Sequence, residues 1–120
     1  MNILVVDDSS AMRMMVVRTL RQAGLGGRDV DQAEDGAIAL ECIRKKRPDL
    51  VLADWNMPNM TGIELLEALR AEDIDVPFGF ITTESTTEAR KKATAAGAQF
   101  LIAKPFTVEA FEKMLSTIIT

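Results

Sequence analysis

Histidine is missing altogether from the 120 residues. Without an imidazole there is no Ser-His-Asp or Cys-His nucleophile system, no His-rich zinc site and no histidine general base. Any chemistry must come from carboxylates, hydroxyls, lysine, backbone groups and a hard metal. Cysteine is nearly missing too, and Cys42 alone cannot form an internal disulfide. Within Leu40-Glu41-Cys42-Ile43 it reads as a small buried or half-buried hydrophobe, and a lone thiol fits a reducing compartment.

An excess of positive charge is also lacking. The formal net charge is −4, with 14 Lys and Arg against 18 Asp and Glu, so the surface as a whole repels nucleic acid and anionic membranes. No apolar run approaches the roughly 20 residues that cross a bilayer. Met1-Asn2 supplies no basic region before Asp7 and Asp8 arrive, so no signal peptide is expected and a cytoplasmic location is. A chain of 120 residues with 48% hydrophobic content suits one compact domain over 1–120, with no effector domain.

Short apolar runs alternate with amphipathic stretches. Ile3-Leu4-Val5-Val6, Leu50-Val51-Leu52-Ala53, Phe78-Gly79-Phe80-Ile81 and Phe100-Leu101-Ile102-Ala103 are too short for helices and read as buried parallel strands. Val30-Asp31-Gln32-Ala33 carries polar residues and belongs at a sheet edge. Ser9 or Ser10 caps a first helix that buries Met12, Met15, Val16 and Leu20 and ends near Gly24. A second runs from about Gly36 to Lys46, with Ile38, Leu40 and Ile43 inward. Thr61 caps a third, with Glu64 one turn on; a fourth covers about Thr86 to Ala96 and stops at Gly97. The last starts after Thr107, with Val108, Phe111, Leu115 and Ile118 on one stripe. Five strand-helix pairs with short connections predict an α/β fold, a doubly wound open parallel sheet with helices on both faces.

In such a sheet the carboxyl ends of the strands share one edge, where ligands bind. Asp7-Asp8 follows the first strand, Asp54 the third, Thr82-Thr83 the fourth and Lys104-Pro105 the fifth. Two carboxylates about 5 Å apart repel by roughly 3 kcal/mol at an effective dielectric of about 20, and one lysine cannot offset three of them. A divalent cation can, and an all-oxygen donor set favours Mg²⁺ or Mn²⁺ over zinc. Asp54 is then the nucleophile candidate, since carboxylates accept phosphoryl groups. Asp8 would bind the metal directly, Asp7 directly or through water, and Asn56 through its backbone carbonyl. Lys104 would pair with phosphoryl oxygens, and the Thr82 hydroxyl would hydrogen-bond the phosphoryl group.

The blocks Val5-Val6-Asp7-Asp8-Ser9, Asp54-Trp55-Asn56-Met57-Pro58-Asn59-Met60-Thr61-Gly62, Thr82-Thr83-Glu84 and Lys104-Pro105-Phe106 resemble the signatures of bacterial response-regulator receiver domains, in order and spacing along the whole chain. The Asp-Trp-Asn-Met-Pro-Asn-Met run is similar to that of the free-standing chemotaxis regulators. The resemblance implies a flavodoxin-like sheet of order 2-1-3-4-5. It also implies Mg²⁺-dependent phosphoryl transfer to Asp54 from a sensor histidine kinase or phosphotransfer protein, reset by hydrolysis of the aspartyl phosphate. Asn56 and Glu84 match positions that tune this hydrolysis, and Lys104-Pro105 matches a bond often cis in the family. Output is implied through a downstream protein at the face of the fourth helix, fifth strand and fifth helix, where Arg90, Leu101, Phe106 and Met114 are expected to offer a mixed surface. Chemotaxis and phosphorelays both stay open as the pathway.

One departure stands out. The family usually carries Tyr or Phe three residues before the lysine; here that residue is Leu101, with Phe100 one place earlier and aimed at the opposite face by strand alternation. An alternative function is a small Mg²⁺-dependent aspartate-nucleophile phosphatase or phosphotransferase. Asp7-Asp8 lacks the Asp-x-Asp-x-Thr spacing usual in haloacid-dehalogenase-type enzymes, and no room remains for their cap domain. Nucleotide or flavin binding is disfavoured because Asp7-Asp8-Ser9-Ser10 is acidic and lacks glycine.

Overall fold

The computed structural model describes residues 2–25 and 29–119. Its elements follow the sequence in strict alternation: β1 (Asn2–Val6), α1 (Ser10–Leu20), β2 (Asp29–Ala33), α2 (Gly36–Lys45), β3 (Leu50–Ala53), α3 (Gly62–Ala71), β4 (Phe78–Thr82), α4 (Thr87–Ala96), β5 (Phe100–Ala103) and α5 (Val108–Ile119). All the strand pairings are parallel, and the sheet order is β2-β1-β3-β4-β5, as the resemblance implied. The polar β2 lies at an edge, with only Ala33 of its five residues buried.

Strand alternation sends each continuous apolar run into two cores. Leu4, Val6, Val51, Ala53, Phe78, Phe80 and Leu101 face α2, α3 and α4, where Leu40, Ile43, Leu65, Leu66, Leu69 and Ala93 close over them. Ile3, Val5, Leu50, Leu52, Ile81 and Ile102 face the other way, against Val16 and Leu20 of α1 and Phe111 of α5. The helix boundaries follow local chemistry. Ser9, Thr61 and Thr86 cap α1, α3 and α4 by accepting the amides of Met12, Glu64 and Ala89, and Gly97 ends α4 in a left-handed conformation at φ +106°. The Thr61 hydroxyl accepts the Glu64 amide, and Glu64 Oε1 accepts the Thr61 amide in return.

Several expected burials are corrected. Met15 is 52% exposed and Ile38 is 40% exposed, and Cys42 lies on the surface rather than in the core. On α1 the buried stripe is Val16, Thr19 and Leu20, with Met12 half-buried. Thr19 tolerates this because its hydroxyl donates to the Met15 carbonyl at 2.8 Å. On α2 the buried arc runs from Ala39 through Ile43 to Leu40, and at 3.6 residues per turn it spans only about 100°. Ile38 and Cys42 fall outside it. The expected α5 positions Leu115 and Ile118 lie outside the residues whose side chains are described. A further turn, Arg21–Leu25, follows α1 and is broken at Gly24, whose φ of +88° is not helical.

Candidate functional site

The strand order reverses between β1 and β3, and the carboxyl ends of these two neighbours carry the aspartates. The Asp7 amide donates to the Ala33 carbonyl at 3.1 Å and the Asp54 amide to the Val6 carbonyl at 2.9 Å. Sheet-like hydrogen bonds thus continue one residue past each strand and hold both backbones. Carboxylate oxygens of Asp7, Asp8 and Asp54 all lie within 4.8 Å of one another. Asp7 is buried, Asp54 half-buried and Asp8 exposed, so the group opens to solvent at one side.

Lys104 closes the buried side. Its Nζ stands 3.1 Å from Asp7 Oδ2 and 3.5 Å from Asp54 Oδ2, and its side chain is only 13% exposed. The Lys104 amide donates to the Thr82 carbonyl at 2.9 Å, tying the end of β5 to the end of β4. The Lys104–Pro105 bond is cis, as the resemblance implied. Asp7 Oδ1 accepts the Ser9 amide and Asp54 Oδ1 accepts the Trp55 amide, at 2.9 and 2.8 Å.

Burial pushes the Asp54 carboxyl above its ordinary range. The Lys104 ammonium opposes that push, the Asp7 carboxylate adds to it, and the Trp55 N–H opposes it again. A carboxyl group so placed gains from any added positive charge. Three carboxylates and one ammonium leave two negative charges uncompensated when all are ionised. A hard divalent cation with oxygen ligands fits that donor set in charge and chemistry.

The remaining predicted residues sit around the same edge. Thr82 is fully buried, and its Oγ accepts the Glu84 amide at 3.1 Å. Asn56 is exposed, and its Nδ2 donates to Glu84 Oε1 at 3.4 Å, so the two positions expected to tune hydrolysis touch each other. Trp55 packs its ring 4.9 Å from that of Phe80 beside the site. Leu101, expected on an output surface, is only 5% exposed and belongs to the core under α4; Arg90 covers it, with Nη1 at 3.5 Å from its carbonyl. Phe106 and Met114 are half-buried and Arg90 is exposed.

Three supporting residues were not foreseen. Arg13 of α1 donates to the Asp7 carbonyl and, at 3.0 Å, to Gln32 Oε1. Asp35 caps α2 and also accepts the Asn59 side chain. Asp35-Gly36 ahead of an apolar periodic stretch is a recognisable cap signal, but neither of the two long-range partnerships has a sequence signature.

The response regulator receiver domain family matches residues 3–116. Chemotaxis protein CheY-3 of Vibrio cholerae is 41% identical over 120 residues, covering 98% of this chain and 91% of that protein. Chemotaxis protein CheY of Pseudomonas aeruginosa is 37% identical, covering 98% and 95%. The crystal structure of Vibrio cholerae CheY4 superposes with a TM-score of 0.86 at 38% identity, over 98% of this chain and 97% of that one. With its sheet order, its acidic edge and its near-complete coverage, this chain belongs to the response-regulator receiver domain family, in its CheY-like branch.

Proposed function

We propose that Asp54 is the phosphoryl acceptor, with a Mg²⁺ ion (or Mn²⁺) held by the carboxylates of Asp7, Asp8 and Asp54 and the backbone carbonyl of Asn56. The observation that carries this is the convergence of three carboxylates on one another with Lys104 bridging Asp7 and Asp54. When bound, the cation neutralises charge on the phosphoryl oxygens and on the attacking carboxylate.

The chain's own residues do the rest. An Asp54 oxygen forms a bond to phosphorus as the P–N bond of a partner's phosphohistidine breaks, and the imidazole nitrogen leaves with the electron pair. Lys104 follows the charge from the carboxylate to the phosphoryl oxygens. The buried Thr82 hydroxyl turns from the Glu84 amide to a phosphoryl oxygen. Asn56 and Glu84, already in contact with each other, govern how water reaches the aspartyl phosphate. The donor is a sensor histidine kinase or a phosphotransfer protein.

The chain acts in the cytoplasm as a receiver domain of the CheY type. It modifies only itself and signals by phosphorylation-dependent protein binding, in a chemotaxis pathway like those of its named relatives. The downstream protein contacts the face of α4, β5 and α5 through Arg90, Phe106 and Met114, without Leu101. The alternative of a small phosphatase gains no support from the family match.

Asp54→Asn tests the acceptor. Wild type incubated with Mg²⁺ and a small phosphodonor takes up label, and the variant takes up none. Label retained by the variant at wild-type extent places the acceptor elsewhere.

A further inference from the structure

The start of α2 receives the loop that follows Asp54. Asn59 donates its Nδ2–H to Asp35 Oδ2 at 3.0 Å, while Asp35 Oδ1 accepts the Ile38 amide at 2.9 Å as the cap of α2. Asp35 is buried, with 7% exposure, and both interactions hold its carboxyl below the ordinary carboxylate range, the Ile38 amide first. Asn59 has φ +66°, and across it the Met60 amide donates to the Pro58 carbonyl at 2.7 Å. That is a three-residue turn with a left-handed centre, a rare and strained conformation away from glycine.

The next pair repeats the contact. A Cβ built on Gly36 would lie 2.8 Å from both the Cγ and the carbonyl oxygen of Met60, so the loop crosses α2 where a side chain is absent. The cap and the first residue of α2 therefore seat two consecutive loop residues.

Each member of the Asp35–Asn59 pair carries more chemistry than its local task requires. A cap needs one acceptor oxygen, and serine supplies it. A left-handed position is served at least as well by glycine. The surplus oxygen of one is joined to the surplus amide of the other. Both ends of the loop are then fixed: Asp54 by the hydrogen bond from its N–H to the Val6 carbonyl, and Asn59 by the hydrogen bond from its side-chain amide to Asp35.

We propose that Asp35 and Asn59 are positioning residues for metal binding: their hydrogen bond sets the course of residues 55–60, and with it the Asn56 carbonyl, before an ion arrives. This rests on the metal site proposed above. Groups that orient a metal ligand without touching the ion alter affinity by about 10- to 100-fold when removed.

The test uses Asn59→Gly, which keeps the turn and removes the amide, and Asp35→Ser, which keeps the cap and removes the second oxygen. Mg²⁺ is titrated against Trp55 fluorescence, with urea unfolding run in parallel. Each variant should raise the Mg²⁺ concentration at half-response about 10-fold, and the double variant should be no worse than the weaker single one. Asp35→Asn should return to near the wild-type value, because Asn59 can flip and accept from the new amide. Wild-type Mg²⁺ titrations in both single variants, with only the urea midpoint lowered, reduce the pair to a local cap and turn and overturn the inference alone. A wild type that shows no Mg²⁺ response overturns the metal site and the inference together.

Discussion

Phe100 lies across Gly79 on the neighbouring strand, so closely that a Cβ added at Gly79 would come within 2.1 Å of the Phe100 ring. The two residues are partners in the β4–β5 register. The ring fills the space left by the missing side chain, on the sheet face covered by α1 and α5. Leu101 points to the other face, into the core beneath α4. The aromatic residue at this end of β5 thus serves packing on the side away from α4, and any signal from the proposed acceptor Asp54 to the α4 face would pass without an aromatic side chain at position 101.

Gly79→Ala is therefore expected to destabilise the fold by about 1–3 kcal/mol, the usual cost of overpacking a filled core. Urea unfolding measures it. Combining the change with Phe100→Leu should recover part of the loss, because the two sites share one volume. A Gly79→Ala variant as stable as wild type would contradict the contact.

Asp54 makes stability depend on pH in a definite direction. Its folded-state pKa is raised above 3.8, chiefly by burial, so within that window the folded protein holds a proton that the unfolded chain has released. Stability contributed by this group falls as pH rises through the window, and above it the ionised carboxylate is a net cost. In EDTA at pH 7, Asp54→Asn should unfold at higher urea than wild type, and the gap should close as pH drops below 3.8. Adding Mg²⁺ should stabilise wild type more than the variant.

Removing the α3 cap isolates a local contribution. Thr61→Ala removes the hydroxyl that accepts the Glu64 amide, leaves the residue-61 N–H free to donate to Glu64 Oε1, and should cost about 1 kcal/mol, read from the urea midpoint. Glu64→Ala should cost less, since the Thr61 hydroxyl still accepts the residue-64 amide.

Cys42 provides a chemical check on the α2 face. Its surface position predicts that a disulfide reagent modifies it in the native protein at the rate of an unhindered thiol, without denaturant. Protection until unfolding would return Cys42 to the core and rotate the helix.

The sequence by itself determined the element order, the doubly wound parallel sheet and the placement of Asp7, Asp8, Asp54, Thr82 and Lys104 at strand ends. Those features follow from period and punctuation: four apolar runs too short for helices, capping residues at Ser9 or Ser10 and at Thr61, and polar groups at the ends of those four strands. Strand alternation also settled that Phe100 and Leu101 face opposite ways. Only the tertiary structure decided which helical residues are inside. Met15, Ile38 and Cys42 each belong to an apolar cluster in sequence, yet a helix on a sheet buries a narrow arc whose centre is set by the sheet, not by the helix. The same holds for the partners that hold the site in place. Lys104 reaches Asp7 across 97 positions, Arg13 reaches Gln32 across 19, and Asn59 reaches Asp35 across 24. A side-chain hydrogen bond between distant segments depends on where two backbones run, and that is specified by the whole sheet rather than by either residue's neighbours.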